Sequence, residues 1–331
     1  MVNPGEQILT PAQQFIQLVL RYSLNRAEEL IDDCGRLAHY TTAEKALLIL
    51  DGKELWLRSA SVMNDVKEVH HGIAVLKEAL SDECSLWPRF IAVLDQIRPG
   101  LALAIRDQLH RFAGEPIETT FITSLAEIEM DDHRGLLSMW RAYGGGTAAV
   151  ALVFNTDFLM SGPEELQCYG SPVFYGDYQK FLIELEKLIE RLEQNVPLMQ
   201  QLGGETVYRV LYFALEAAAV SMKHDGFAEE REWRVIHRPF TGRTSPWVEP
   251  KVSSIWGVPQ IVYTLPLENK PGMNIPLLDL RNLLHRVIVG PSLHPEAVRL
   301  GFVQQLAELG LTVPEAYDRV RMSDIPLRPA H

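Results

Sequence analysis

Along residues 11–33 apolar side chains fall at Phe15, Leu18, Val19 and Tyr22, then at Ala27, Leu30 and Ile31. That spacing draws an apolar stripe on a helix, and Gly35 beyond it is a stop signal. In "LAHYTT" the period drops to two: Leu37, His39 and Thr41 share one strand face, Ala38 and Tyr40 the other. Thr42 then caps a helix over "AEKALLILDGK", with Gly52 as its C-terminal stop. "ELWLRSA" predicts a second strand, and "SVMNDVKEVHHG" a polar loop entering a helix. Residues 73–112 read as mostly helical, broken around Trp87-Pro88 and Pro99-Gly100. "ETTFITSLAE" predicts a strand, and "HRGLLSMWRAYGGG" a short helix running into a glycine turn. "TAAVALVFN" is an unbroken apolar run, the pattern of a strand covered on both faces. "SPVFYG" predicts another strand, and residues 177–222 one or two long helices interrupted near "NVPLMQQLGGE". "EWRVIHRP", "PQIVYTLPL" and "LHRVIVGPS" predict three strands, with a Pro/Gly-rich stretch up to residue 250 after the first. A helix over "PEAVRLGFVQQLAELG" and a short strand near "YDRVRMS" complete the pattern.

Helices and strands are thus interleaved irregularly, which predicts an α+β fold with a central mixed or antiparallel sheet. A doubly wound parallel sheet is disfavoured, because no glycine-rich dinucleotide fingerprint follows a strand. The expected organisation is an N-terminal helical extension over 1–35 and a single α+β domain over 36–331. Helical insertions at about 73–112 and 177–222 interrupt that domain.

Composition changes this picture in only a few respects. With 331 residues, 47% of them apolar, the chain can bury a sizeable core. A net charge of -12 and no Lys/Arg-rich run disfavour nucleic acid and anionic membrane as partners. Cys34, Cys84 and Cys168 are far apart and lack metal-type spacing, so free thiols in a reducing cytoplasm are expected. The longest apolar run, at 147–154, is too short to span a bilayer, and the first ten residues lack the pattern of a leader.

Four stretches carry candidate chemistry. His39, Tyr40 and Thr41 sit at a strand-to-helix junction, where the helix N-terminus favours an anionic group. Asn64, Asp65 and Glu68 open a helix and are candidate ligand-binding residues. The adjacent His70 and His71 point about 100° apart on a helix, a poor arrangement for joint ligation, and no metal is expected. Trp140 and Tyr143 share a helix face before three glycines. In "EEREWRVI", alternation puts Glu230, Glu232 and Arg234 on one strand face and Arg231 and Trp233 on the other. A buried carboxylate beside an arginine stays ionised and well placed.

The stretches "LAHYTTAEKALLIL", "SASVMNDVKEV", "FITSLAE", "LLSMWRAYGGGTAAVALVF", "MKHDGFAEEREWRVI", "RVIVGPS" and "VRMSDIPLR" follow one another as in the bacterial DUF2971 domain family. On these motifs the chain resembles that family, over roughly residues 36–328, and the family implies no assigned activity. A second resemblance is to ADP-ribosyltransferases, which place a His-Tyr or His-Thr strand early and a Glu-x-Glu strand late. It rests on His39-Tyr40-Thr41 and Glu230-x-Glu232. This resemblance implies an ADP-ribosyltransferase-like fold and an enzyme that uses NAD as substrate, an ADP-ribosyltransferase or an NAD glycohydrolase; a role in stress or phage defence is expected. Glu232 would stabilise an oxocarbenium-like ribose, Glu230 orient the acceptor, His39 hold a ribose hydroxyl, and Tyr40 or Tyr143 stack on the nicotinamide. The alternative is a non-catalytic ligand-binding or regulatory module, with His39, Trp140 and Arg234 around a small anionic ligand or nucleotide.

Overall fold

The computed structural model describes residues 9–62, 66–115, 117–143, 148–156, 166–239, 245–255 and 257–326. In chain order the strands are β1 (Arg36–Thr42), β2 (Glu54–Ser59), β3 (Phe121–Ile128), β4 (Ala149–Phe154), β5 (Cys168–Pro172) and β6 (Phe174–Tyr175). They continue with β7 (Met222–Lys223), β8 (Glu232–His237), β9 (Glu249–Ile255), β10 (Val258–Pro266), β11 (Leu284–Val289) and β12 (Val320–Met322). The fold class is α+β, as the pattern predicts.

Two compact units are each assembled from three pieces of chain. The first combines residues 9–26, the residues from 66 to 115, and residues 173–227, so the N-terminal helix groups with both predicted helical stretches. Its main helices are Pro11–Val19, Val66–Ala79, Trp87–Asp95, Leu101–Gly114, Tyr178–Gln194 and Val196–Val220, with β6 paired parallel to β7. Thr10 closes a capping box with Gln13 ahead of the first helix, so two of its orphan donors are satisfied. That helix and the next, Arg21–Asp32, are separate where the sequence pattern predicts one. The break predicted around Trp87-Pro88 falls just before them, between the helices that end at Ala79 and begin at Trp87; Pro88 stands in the first turn of the second, where its missing N–H costs nothing. The helices Val66–Ala79 and Val196–Val220 approach closely at Gly72. A Cβ there would fall well inside contact distance of the Ala219 carbonyl oxygen.

The second unit holds residues 27–62, 117–172 and 228–326 among those described, and contains a ten-stranded mixed sheet. Its main path runs β12-β11-β4-β1-β3-β2-β10-β9, with β8 on β3 and β5 on β8. Among the described residues of this sheet, β11 and β12 pair in parallel and the other ladders are antiparallel. β4 is buried at every position, as its unbroken apolar run predicts. On one face Leu37, Leu125, Leu152, Trp233 and Val287 join a large core with Leu50, Phe302 and Leu306 of flanking helices. On the other, Ala38, Tyr40, Ala126, Ala151 and Ile288 form a smaller core covered by Met139 and Trp140 of the helix Leu137–Tyr143. Thr42 caps the helix Ala43–Gly52, but the predicted stop shifts by one residue. Gly52 is the last helical residue, and Lys53 takes the left-handed conformation at φ 48°. β9 lies partly inside the stretch the sequence presents as Pro/Gly-rich, and its exposed face hides it from a search for apolar runs.

The arrangement around β3 positions the site. Ala126 pairs with Ala38 of β1 and Glu232 of β8, whereas Ile122 pairs with Arg58 of β2 and Ile236 of β8. β1 and β2 therefore share the β3 edge opposite β8. Neither pairs with β3 over Thr123–Leu125, so the sheet splits there.

Candidate functional site

Paired residues across a ladder share a face. Ser124 opposes Arg234 and Ala126 opposes Glu232, so Ser124, Glu232 and Arg234 lie on the same sheet face as Ala126 and Tyr40. There the Glu232 carboxylate, 4% exposed, accepts a 2.5 Å hydrogen bond from Ser124 Oγ. It also accepts one of 2.9 Å from Arg234 Nε. Arg234 Nη2 approaches its second oxygen at 3.4 Å. Arg234 is 1% exposed, so this is a buried, hydrogen-bonded ion pair. Charged groups persist in such surroundings only when paired and hydrogen-bonded, and the result is a carboxylate of fixed orientation.

His39 pairs with Leu152 and so belongs to the opposite, larger-core face. Its Nδ1 lies 3.1 Å from the Ser124 carbonyl oxygen, within the split. A backbone carbonyl left without a ladder partner is costly, and the imidazole supplies the partner. Burial, first, and the Lys45 ammonium hold the His39 pKa below its ordinary value, so the ring is neutral at pH 7 and donates its Nδ1 proton. Lys45 in turn is lowered by partial burial and by Arg58, and Arg58 stands opposite Ile122 at the border of the split. His39 and Glu232 therefore converge on one residue, Ser124, from the two faces of the sheet.

The other predicted residues divide. Arg234 joins the cluster. Glu230 does not share a strand face with Glu232, a correction to the alternation expected. A 3-10 turn occupies Asp225–Glu230, the strand begins at Glu232, and Arg231 between them is left-handed at φ 44°. Tyr40 and Trp140 are buried and meet edge to face at 4.8 Å, with the Tyr40 hydroxyl accepting from Leu136 N. Burial pushes the Tyr40 phenol up to about 12. Tyr143, expected on a common face with Trp140, is 40% exposed, because the short helix ends there. Thr41 is buried on the His39 face of β1. Glu68 belongs to the first unit and pairs there with the buried Lys223 at 3.0 Å. Asn64, Asp65 and the three glycines at 144–146 lie outside the described residues. Among the described residues no group of three or more His, Cys, Asp or Glu is placed to hold a metal ion.

Two residues that hold this site together are not singled out by the sequence: Ser124, and Glu127, whose carboxylate accepts from Trp233 and Arg231 on either side of Glu232. Both stand in "FITSLAE", where three polar side chains, Thr123, Ser124 and Glu127, interrupt an otherwise apolar strand buried on both faces. That interruption was the available signal, since polar groups in such a strand need partners.

A family model described as "Protein of unknown function (DUF2971)" matches residues 139–235. No curated protein and no solved structure matches the chain. Among the described residues no helix is long and apolar enough to cross a membrane.

Proposed function

We propose that this chain with a DUF2971 segment cleaves the nicotinamide–ribose bond of NAD, with Glu232 as the anionic centre. The observation that carries the reading is the Glu232 carboxylate, fixed by Ser124 and Arg234 beside a split in the sheet. When the C1′–N bond breaks, its electron pair leaves with nicotinamide and positive charge develops on the ribose. A carboxylate already oriented and shielded from water stabilises that charge without reorganising. Water or an acceptor nucleophile then attacks C1′ and loses its proton to solvent, which gives free ADP-ribose or an ADP-ribosylated acceptor. Lys45 and Arg58, near the split, supply positive charge for the pyrophosphate, and the helix N-terminus at Thr42 adds to it. His39, whose Nδ1 is engaged with Ser124, holds the split open; its role toward a ribose hydroxyl falls to Nε2.

The test is incubation with NAD labelled in the nicotinamide ring. Wild type releases labelled nicotinamide, and Glu232→Gln, which keeps the shape of the side chain, releases it at least about 100-fold more slowly with the fold intact. A wild-type protein that neither turns over nor binds NAD by calorimetry overturns the proposal. The depth of the Glu232–Arg234 pair also suits a second reading, a ligand-recognition module without catalysis. Under that reading Glu232→Gln retains the biological effect.

A further inference from the structure

The residues on either side of Glu232 are held from the opposite face by a single carboxylate. Glu127 of β3 is 4% exposed and lies on the large-core side, out of register with Ser124 and Ala126. Its Oε1 accepts a 2.8 Å hydrogen bond from Trp233 Nε1. Its Oε2 accepts from Arg231 Nε at 2.8 Å, with Arg231 Nη2 also at 2.8 Å. The Glu127 backbone N–H donates to the Arg231 carbonyl at 2.9 Å. Arg231 is itself left-handed, a conformation that costs a residue with a Cβ and persists only where its surroundings impose it. The strand begins at the next residue, and its first side chain is Glu232. A guanidinium with a half-exposed side chain thus spends its binding on a buried partner, beside the left-handed residue after which the strand begins.

We infer that Glu127 is a positioning residue for Glu232, acting through Arg231 and Trp233 to fix the left-handed turn that presents the carboxylate to Ser124. The inference rests on the reading of Glu232 as the site's working carboxylate. It assigns a function to the Glu127–Arg231 pair, in which a half-exposed arginine serves a buried carboxylate. It also explains why the turn carries arginine where glycine would adopt the same backbone without strain.

The test uses full-length protein with glutamate labelled at the δ-carbon, the Glu232 signal being identified by its loss in Glu232→Gln. In Glu127→Gln the Glu232 signal shifts and its titration midpoint moves. Nicotinamide release falls about 10- to 100-fold in kcat with KM for NAD little changed, the penalty for a displaced catalytic group. Adding Arg231→Gly to Glu127→Gln restores the wild-type Glu232 signal and most of kcat, because glycine holds the left-handed turn unaided. If Glu127→Gln does not fold, Arg231→Ala against Arg231→Gly makes the same comparison. Alanine loses the clamp and resists the turn, so its Glu232 signal moves while that of glycine stays. An unchanged Glu232 signal and titration in Glu127→Gln, with only a lower melting midpoint, overturns the inference and leaves Glu127 a structural ion-pair partner. If wild type releases no nicotinamide, the NAD reading fails, and the Glu232 signals alone decide the positioning role.

Discussion

Replacing Gly72 with alanine probes how the first unit is packed, and its outcome can be worked from the structure. Gly72 lies in the helix Val66–Ala79, where glycine is about 1 kcal/mol worse than alanine on propensity. On that ground alone Gly72→Ala stabilises. The new Cβ, however, meets backbone. It would overlap the Ala219 carbonyl oxygen, with the Ala219 carbonyl carbon at 2.9 Å and Met222 Cβ at 3.1 Å. An ordinary C···O contact is about 3.3 Å or longer. The helix Val196–Val220 cannot yield by turning a side chain, since the obstacle is its own main chain. The two helices must separate, which loosens their contacts on both sides of the site. Overpacking of this kind costs about 1–3 kcal/mol and sometimes more. With a main-chain obstacle we take the upper end, subtract the propensity gain, and expect a net loss of about 2 kcal/mol. Gly301, in the middle of the helix Pro295–Glu308, is the control: nothing lies within 4 Å of its would-be Cβ, so Gly301→Ala gains about 0.5–1 kcal/mol. Urea unfolding followed by circular dichroism, with the slope checked for constancy, measures both. A Gly72→Ala variant as stable as wild type, or more so, refutes the packing argument.

Two further predictions concern the second unit. Lys53→Gly relieves the left-handed residue that ends the helix Ala43–Gly52 and raises stability by about 0.5–1 kcal/mol. The Lys53–Glu268 pair it removes is exposed on both sides and contributes little, so a lower urea midpoint would count against this account. His285, at the irregularity between Leu284 and Arg286, is held at a pKa of about 4 by burial and by the neighbouring Arg286, Arg36 and Arg319. The unfolded chain binds this proton near pH 6.5 and the folded chain only near 4, so stability falls as pH drops through that window. His285→Gln lacks the penalty, and its stability relative to wild type improves between pH 7 and 4.5; a difference that does not vary with pH refutes the assignment.

The sequence announced the helices through their stripes and caps, and Thr42 was legible as a cap because its hydroxyl needs only local partners. β4 was equally legible, because burial on both faces leaves no polar positions. β9 was not, because an edge strand with Val252 74% exposed has the composition of a loop. At the site, Glu232 and Arg234 were visible as alternating charges entering a strand. Glu230 was misplaced beside them because a single left-handed residue, Arg231, breaks the alternation, and arginine gives no local warning of that conformation. Ser124 was passed over because its importance comes from register: it stands opposite Arg234 and beside the gap between β1 and β2, and pairing between distant strands is not written in either one alone. The division of the first unit among three chain pieces is non-local in the same way.

That division bears on anyone who would express the matched stretch by itself. Residues 139–235 begin inside the sheet unit, pass through the helical one from residue 173 to 227, and return. A recombinant fragment with those ends would carry β4 without β1 or β11, and β8 without β3. It would also carry Glu232 without Ser124 and Arg231 without Glu127. The matched stretch is therefore a signature rather than a module, and the smallest piece worth purifying is close to the whole polypeptide.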